Sequence, residues 1–272
     1  MSHGVSAFSS SPLITLLTDF GTADYFVAAV KGVILSGNQS ARIVDITHEI
    51  PAQDIEAAAF TLLAAYTSFP PGTVHVAVVD PGVGSSRRGI AIKVHQQFFV
   101  GPDNGIFSYV CDGATPEVFH LTNQKFFRSS VSTTFHGRDV FAPVAAALAS
   151  GVKPDELGPS LTDIVRLPSL TPVTGRNGRI KGRIIHIDRF GNCVTNITRG
   201  ELPDNSIAAG ASLLINGRNI TTFRKFFAEE ASSRSRLFAI WGSAGFLEIA
   251  VTNGSAAKLL KAKCGDEVVV GK

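Results

Sequence analysis

Two aspartates stand where apolar runs end: Asp19 in LLTDFGTAD and Asp80 in VVDPGVGSSRR. Glycine follows each within two residues, which lets the backbone turn sharply and a ligand come close. In open α/β sheets, ligands bind beyond the carboxyl ends of strands. Aspartate also favours turns for its own sake, but two in the same structural place make turn-forming alone the weaker explanation. Arg87 and Arg88 can both fold back toward Asp80 across the glycine turn. A guanidinium there would hold the carboxylate ionised and oriented, whereas a surface ion pair would contribute little, and spacing alone does not separate the two. His136, in TTFHGRDVFAPVAAALA, precedes a helical stretch, with Gly137 leaving room beside its ring. Carboxylates and an imidazole are the groups for proton transfer on a small bound molecule. Farther along, HIDRFGNCVTNI offers Phe190 to stack on a planar base, Asn192 to read its edge with one donor and one acceptor, and Asp188 to pair with an ammonium group. A plain β-turn with a core phenylalanine explains that stretch equally simply.

Those residues need elements to hold them. Strand-like runs cover Leu13–Leu17, Ala41–Ile46, Val74–Val79, Ile90–Val94 and Phe98–Val100. Helical spacing covers Tyr25–Leu35, Asp54–Tyr66, with Asp54 near its start, and Val140–Ala149. Val74–Val79 is apolar throughout, as in a strand covered on both faces. The alternation predicts an α/β domain over residues 12–165 with a largely parallel sheet. From Leu157 to Arg179 proline and glycine take over, which marks a linker. Short strands then recur at Ile180–Ile187, Ser212–Ile215, Leu237–Trp241, Phe246–Ala250 and Glu267–Val270, predicting a smaller, mainly β, barrel-like domain over residues 176–272. Residues 1–11 read as a small polar tail.

Composition narrows the classes. At 44% hydrophobic and 17% charged, the 272-residue chain is expected to bury a sizeable core. The net charge of +3 is spread along the chain, unlike the concentrated basic face of nucleic-acid binders. Three scattered cysteines argue against a disulfide framework and fit a reducing, cytoplasmic setting. The N-terminus is a poor signal peptide, and no apolar run is long enough to span a bilayer. HExxH, GxGxxG and Walker patterns are absent, so no metal, dinucleotide or P-loop site is expected.

Seven segments in order, TDFGTADYFVAAVKG, DITHEIPAQDIEAAAF, VVDPGVGSSRR, GPDNGIF, TFHGRDVFAPVAA, IDRFGNCVTNI and WGSAGFLEIA, resemble the S-adenosylmethionine (SAM) hydroxide adenosyltransferases, whose scaffold the fluorinases and chlorinases share. The resemblance implies an α/β domain followed by a β-barrel-like one. It also implies a homotrimer with active sites between subunits, and hydrolysis of SAM to adenosine and methionine with no cofactor. It assigns water handling to Asp80, Arg87 and His136, with Arg88 as the lesser candidate for the arginine. Asp19 would hold the ribose diol, Asp24 and Asp188 would lie near the methionine ammonium, and Phe190 and Asn192 would contact adenine. Ser243 would lie at the methionine carboxylate. In the halogenases an arginine follows that serine; here Ala244 follows, so carboxylate recognition must differ. Two alternatives remain open: a SAM-dependent halogenase, and a non-catalytic SAM or adenosine binder. An acidic residue at position 80 and a glycine at 137, where fluorinases carry a hydroxyl, favour water over halide.

Overall fold

The structure, a computed structural model, describes residues 11–175, 178–229 and 236–271. The expected polar tail, except for Ser11, and the expected domain start at residue 176 lie outside these. The chain divides into two compact units, Met1–Leu167 and Pro168–Lys272.

In the first unit, β1 (Leu13–Thr18), α1 (Phe26–Gly37), β2 (Arg42–Thr47), α2 (Ile55–Tyr66) and β3 (Val74–Val78) alternate as the sequence pattern predicts. Next come β4 (Gly89–Val94), β5 (Gln97–Pro102), β6 (Glu117–His120), α3 (Ala142–Ala149) and β7 (Ser160–Leu161). The sheet order is β2-β1-β3-β5-β4-β6-β7. Strands β2, β1, β3 and β5 run parallel, and β4, β6 and β7 extend the sheet antiparallel at one edge. Asp54 caps α2, its carboxylate accepting the Ala57 backbone N–H at 2.9 Å.

Alternation along β3 explains its unbroken apolar run. Val74, Val76 and Val78 pack with Ile34 of α1, Val144 of α3 and Phe141, which immediately precedes α3. Ala77 and Val79 pack on the other face with Ala58, Leu62 and Phe99. The strand is thereby clamped from both sides, and its carboxyl end is a rigid place from which to present Asp80. The stretch that composition marks as a linker is tied down at its start. Ser160–Leu161 joins the sheet edge, the Val165 backbone N–H donates to Asp103 at 2.9 Å, and that of Leu167 donates to Ser108 at 2.8 Å.

The second unit contains β8 (Val173–Thr174), β9 (Ile180–Ile187), β10 (Cys193–Thr198), α4 (Asp204–Ala208), β11 (Ser212–Ile215), β12 (Arg218–Ile220), β13 (Phe223–Arg224), β14 (Leu237–Trp241), β15 (Phe246–Val251), α5 (Ala256–Leu260) and β16 (Glu267–Gly271). Its strands follow the order β12-β11-β16-β9-β10-β15-β14-β13, with β8 added on β9, in a curled half-barrel. Ile184, Ile197, Leu213, Leu247, Ile249 and Val268 fill its core.

One buried polar cluster carries a pH consequence. His75, on β3, is wholly buried; its Nε2–H donates to Gln97 Oε1 at 3.1 Å, and its Nδ1 accepts from the Thr15 hydroxyl at 2.7 Å. Burial lowers its pKa to about 4. Because the unfolded state keeps the ordinary value near 6.5, unfolding takes up a proton between those values, and stability falls as pH drops through that window. The full penalty, on the order of 3 kcal/mol, is reached only below pH ~4. Urea denaturation of wild type and His75→Gln at pH 7.5 and 4.5 is expected to show a smaller acid loss in the variant; equal losses would remove His75 as the cause.

Candidate active site

Asp80 lies just past β3, at the head of a turn that returns to β4 at Gly89. Arg87, from the end of that turn, grips it with a two-pronged fork: Nε donates to Asp80 Oδ1 at 2.9 Å, and Nη2 to Oδ2. The same Nη2 donates to His136 Nδ1 at 2.7 Å. One guanidinium thus joins the carboxylate to the imidazole, and its carbon lies 5.3 Å from the centroid of the Phe141 ring. The Asp80 and Arg87 side chains are only 6% and 12% exposed, so this is a buried pair and not a surface one. Arg88 goes elsewhere. It donates to Asp103 at 2.7 Å and to Asp163 at 3.1–3.2 Å, bracing the 160s segment.

A guanidinium only donates, so His136 Nδ1 is the lone-pair nitrogen and, in the neutral ring, Nε2 carries the hydrogen. Burial first, and then the Arg87 charge, holds the His136 pKa below its ordinary value. The ring is therefore neutral near pH 7 and presents an N–H donor. With Nδ1 occupied by Arg87, the hydrogen-bonding group left to the neutral ring is the Nε2–H.

His136 is placed by a feature absent from the sequence reading. The chain leaves it in a wide π-helical turn, Gly137–Phe141, that runs into α3. Asp139, fully buried, ties this turn to the preceding loop. It accepts from Arg138 at 2.7 and 2.8 Å, from Arg128 at 3.3 Å and from the Ser132 backbone N–H at 2.9 Å. Burial alone would raise the Asp139 carboxyl pKa, but its hydrogen bonds, those from Arg138 foremost, hold it below the usual range.

Asp80 and His136 line a cavity of about 300 Å³ together with Asp19, Phe20, Gln53 and Gly137. Arg87 stands behind them and does not line it. Asp19 is oriented by the Gln53 backbone N–H, 2.9 Å from Oδ2. A side chain at Gly137 would place its Cβ 3.3 Å from the Phe20 ring. Asp24 lies on the exposed stretch before α1 and does not line this cavity.

The second unit holds a separate groove of about 910 Å³, with Phe190, Asn192, Phe227, Val251, Asn253 and Ser255 among its walls. Phe190 and Phe227 are 77% and 51% exposed, two bare aromatic faces in one groove. Asp188 does not line it. Its Oδ1 accepts the backbone N–H groups of Phe190 and Asn192, at 2.9 and 2.8 Å, and its Oδ2 accepts from the Asn192 carboxamide at 2.9 Å. It organises the turn and fixes the Asn192 rotamer. Ser243 is exposed in the β14–β15 turn, outside the groove walls. Phe227 escaped the sequence reading because nothing in RKFFAEE signals what it faces. Among the described residues, no cluster of three His, Cys, Asp or Glu could hold a metal ion, and no helix is long and apolar enough to cross a membrane.

Arg87→Met strands a buried carboxylate and is expected to cost about 3–5 kcal/mol of stability. Adding Asp80→Asn should recover part of that loss; an additive double variant in urea titrations would show that the two side chains are not coupled.

Residues 14–158 match the SAM hydroxide adenosyltransferase N-terminal domain, and residues 182–269 the corresponding C-terminal domain. The chain is 38% identical to an (R)-S-adenosyl-L-methionine hydrolase of Salinispora arenicola, over 96% of this chain and 98% of that protein. It is 37% identical to one of Methanocaldococcus jannaschii, over 95% of each. A fluorinase of an Actinoplanes species is more distant, at 28% identity over 97% of this chain and 99% of the fluorinase. Among solved structures, an uncharacterized conserved protein of Thermotoga maritima superposes with a TM-score of 0.85 at 35% identity, covering 95% of this chain and all of that one.

Proposed function

Because the chain belongs to the SAM hydroxide adenosyltransferase family, we propose that it hydrolyses S-adenosyl-L-methionine to adenosine and L-methionine, water attacking the ribose C5′ in line with the departing thioether. The observation that carries the mechanism is that Asp80 and His136 face one small cavity while Arg87 holds both from behind.

The sulfonium makes the carbon electron-poor, and its leaving group departs neutral. Placing a nucleophile in attack geometry can then supply up to about 7–11 kcal/mol. Making free hydroxide first would cost roughly 12 kcal/mol at pH 7, and no group in the cavity is a base strong enough for that. The proton instead leaves late. As the C–O bond forms, the attacking oxygen becomes strongly acidic, and even a carboxylate then serves as acceptor. In this scheme Asp80 accepts a hydrogen bond from the water, aims its lone pair and takes the proton. His136 offers its Nε2–H to the same oxygen, and Arg87 fixes both angles. A halide has no hydrogen to give to Asp80 and would meet a bare carboxylate oxygen, which supports hydrolysis over halogenation. A water-handling set kept intact around a cavity also supports an enzyme over a passive binder.

Asp19, on the cavity wall, is assigned to the ribose diol, and Phe190 and Asn192 to adenine. Asp24, Asp188 and Ser243 remain assigned to the methionine end. For Asp188 the support is weaker, because three hydrogen bonds already occupy its oxygens. SAM is the substrate, and the scheme calls for no further cofactor. Cys111 and Cys193 are buried thiols outside any disulfide, which supports a reducing, cytoplasmic setting.

Chromatography of products from both sulfonium epimers tests the activity. Wild type is expected to release adenosine and methionine, and Asp80→Ala to turn over about 10²–10⁴-fold more slowly; undiminished turnover would take Asp80 out of the chemistry. Assembly as a homotrimer, with the first unit of one subunit completing a site with the second unit of its neighbour, is the arrangement we assign. Mixing Asp80→Ala with Asn192→Ala subunits under exchange conditions should then restore activity that neither shows alone. No recovery in verified mixed oligomers would refute shared sites.

A further inference from the structure

Three walls enclose the groove beside Phe190. Two of them, the turns at residues 188–192 and 252–255, are locked together. The Ala257 backbone N–H donates to Gly191 O at 2.9 Å, and Gly191, at φ +83°, lies so near Ser255 that any side chain there would collide. The third wall, Phe227 and Ala228, belongs to the segment that leaves β13. Arg224 ties it to the second. Its Nη1 donates to Phe227 O at 3.2 Å and to the Thr252 hydroxyl at 2.9 Å. Its guanidinium carbon lies 4.0 Å from the centroid of the Phe238 ring, which packs edge-on to Phe227 at 6.1 Å. Arg224 is 9% exposed, and among the described residues it pairs with no carboxylate, while its Nε has no hydrogen-bond partner.

A buried guanidinium that pairs with no carboxylate among the described residues is a costly fastener. What it offers over an apolar residue is a donor that reaches acceptors on two different walls, with an aromatic face beneath it. We propose that Arg224 is a positioning residue for the nucleobase: it fixes Phe227 relative to the Thr252 turn and so sets the width of the aromatic groove. The proposal rests on reading that groove as the adenine subsite. In it Arg224 acts through Phe227 and touches neither base nor reacting carbon, so its loss falls on substrate capture far more than on the chemical step.

The test uses the full-length enzyme, with adenosine affinity measured by calorimetry beside KM and kcat for SAM. Arg224→Met is expected to raise the adenosine Kd and KM about tenfold, equivalent to about 1.4 kcal/mol, with a much smaller fall in kcat. Arg224→Lys, which can reach one acceptor but not both, should fall between. Thr252→Val removes one acceptor from an exposed turn and should weaken adenosine severalfold, yet add nothing in the Arg224→Met background. A purely structural arginine would lower thermal stability and active fraction while leaving Kd and KM alone, and that result overturns the proposal. So does additivity of the two variants. If Arg224→Met does not fold, Thr252→Val decides alone, and an unchanged adenosine Kd refutes the link. If Phe190→Ala and Asn192→Ala leave adenosine binding intact, the adenine reading itself fails and the proposal falls with it; if those two weaken binding and Arg224→Met does not, only the proposal falls.

Discussion

One guanidinium with two acceptors is the constraint on which the first unit's site depends. Arg87 donates to Asp80 from Nε and Nη2, and Nη2, which carries two hydrogens, also donates to His136. Energetically the arrangement is close to neutral. Burying each ion costs several kcal/mol, while attraction at contact distance returns roughly 4 kcal/mol at an effective dielectric near 20. It is therefore poor at stabilising the fold and good at fixing geometry. The carboxylate cannot rotate without losing the fork, and the imidazole cannot change tautomer without facing a donor with a donor. Arg87 thereby decides what the two groups facing the cavity can do: one accepts and one donates. Water needs one acceptor and one donor to be held by orientation as well as by position.

The sheet supplies the leverage. In sheet order β5 lies between β3 and β4, so the chain from Asp80 to Arg87 must cross over the end of β5 before it can enter β4. The Asp80–Arg87 fork closes that crossing, so the loop that carries the chemistry is also the loop the topology demands. His136 arrives from a part of the chain about fifty residues on, and its approach is fixed by the wide turn before α3 and by Asp139, whose carboxylate gathers two arginines and a backbone N–H beneath it.

How much of this was legible in sequence follows the range of each interaction. The run from Val74 to Val79 announced a strand buried on both faces, and Asp80 at its tip announced a site, because both signals lie within a few residues. Which of two adjacent arginines turns to Asp80 did not follow, since neighbouring residues on an extended segment project to opposite sides and spacing does not give the phase. Arg88 took the other side, toward Asp103 and Asp163. Asp188 reads as a partner for an ammonium group, yet an aspartate beside Phe-Gly-Asn is equally a turn organiser, and its oxygens accept three hydrogen bonds within that turn. Asp139, Phe227 and Arg224 were invisible for a plainer reason. Each matters through partners distant in sequence, or through a cavity wall that exists only once the chain has folded.

In the proposed reading, the cavity of the first unit and the groove of the second would serve different parts of the substrate. The cavity of the first is small, with Asp19, Asp80 and His136 set among walls of phenylalanine, proline and valine. At about 300 Å³ it would, in the proposed scheme, orient a water and a sugar and leave a planar base to be held elsewhere. The groove of the second is wide and aromatic, with bare phenylalanine faces suited to a planar base. Binding energy gathered at a remote, unreacting part of a substrate can be spent on holding its reacting carbon in line. That division suits a reaction whose leaving group is already activated, since the protein need not generate a strong nucleophile, only deny a weak one every orientation but the productive one. It also explains why a carboxylate is tolerable beside an electron-poor carbon. The Arg87 fork draws the lone pairs of Asp80 toward the guanidinium, which leaves it able to receive a proton while restraining it from attacking the carbon itself.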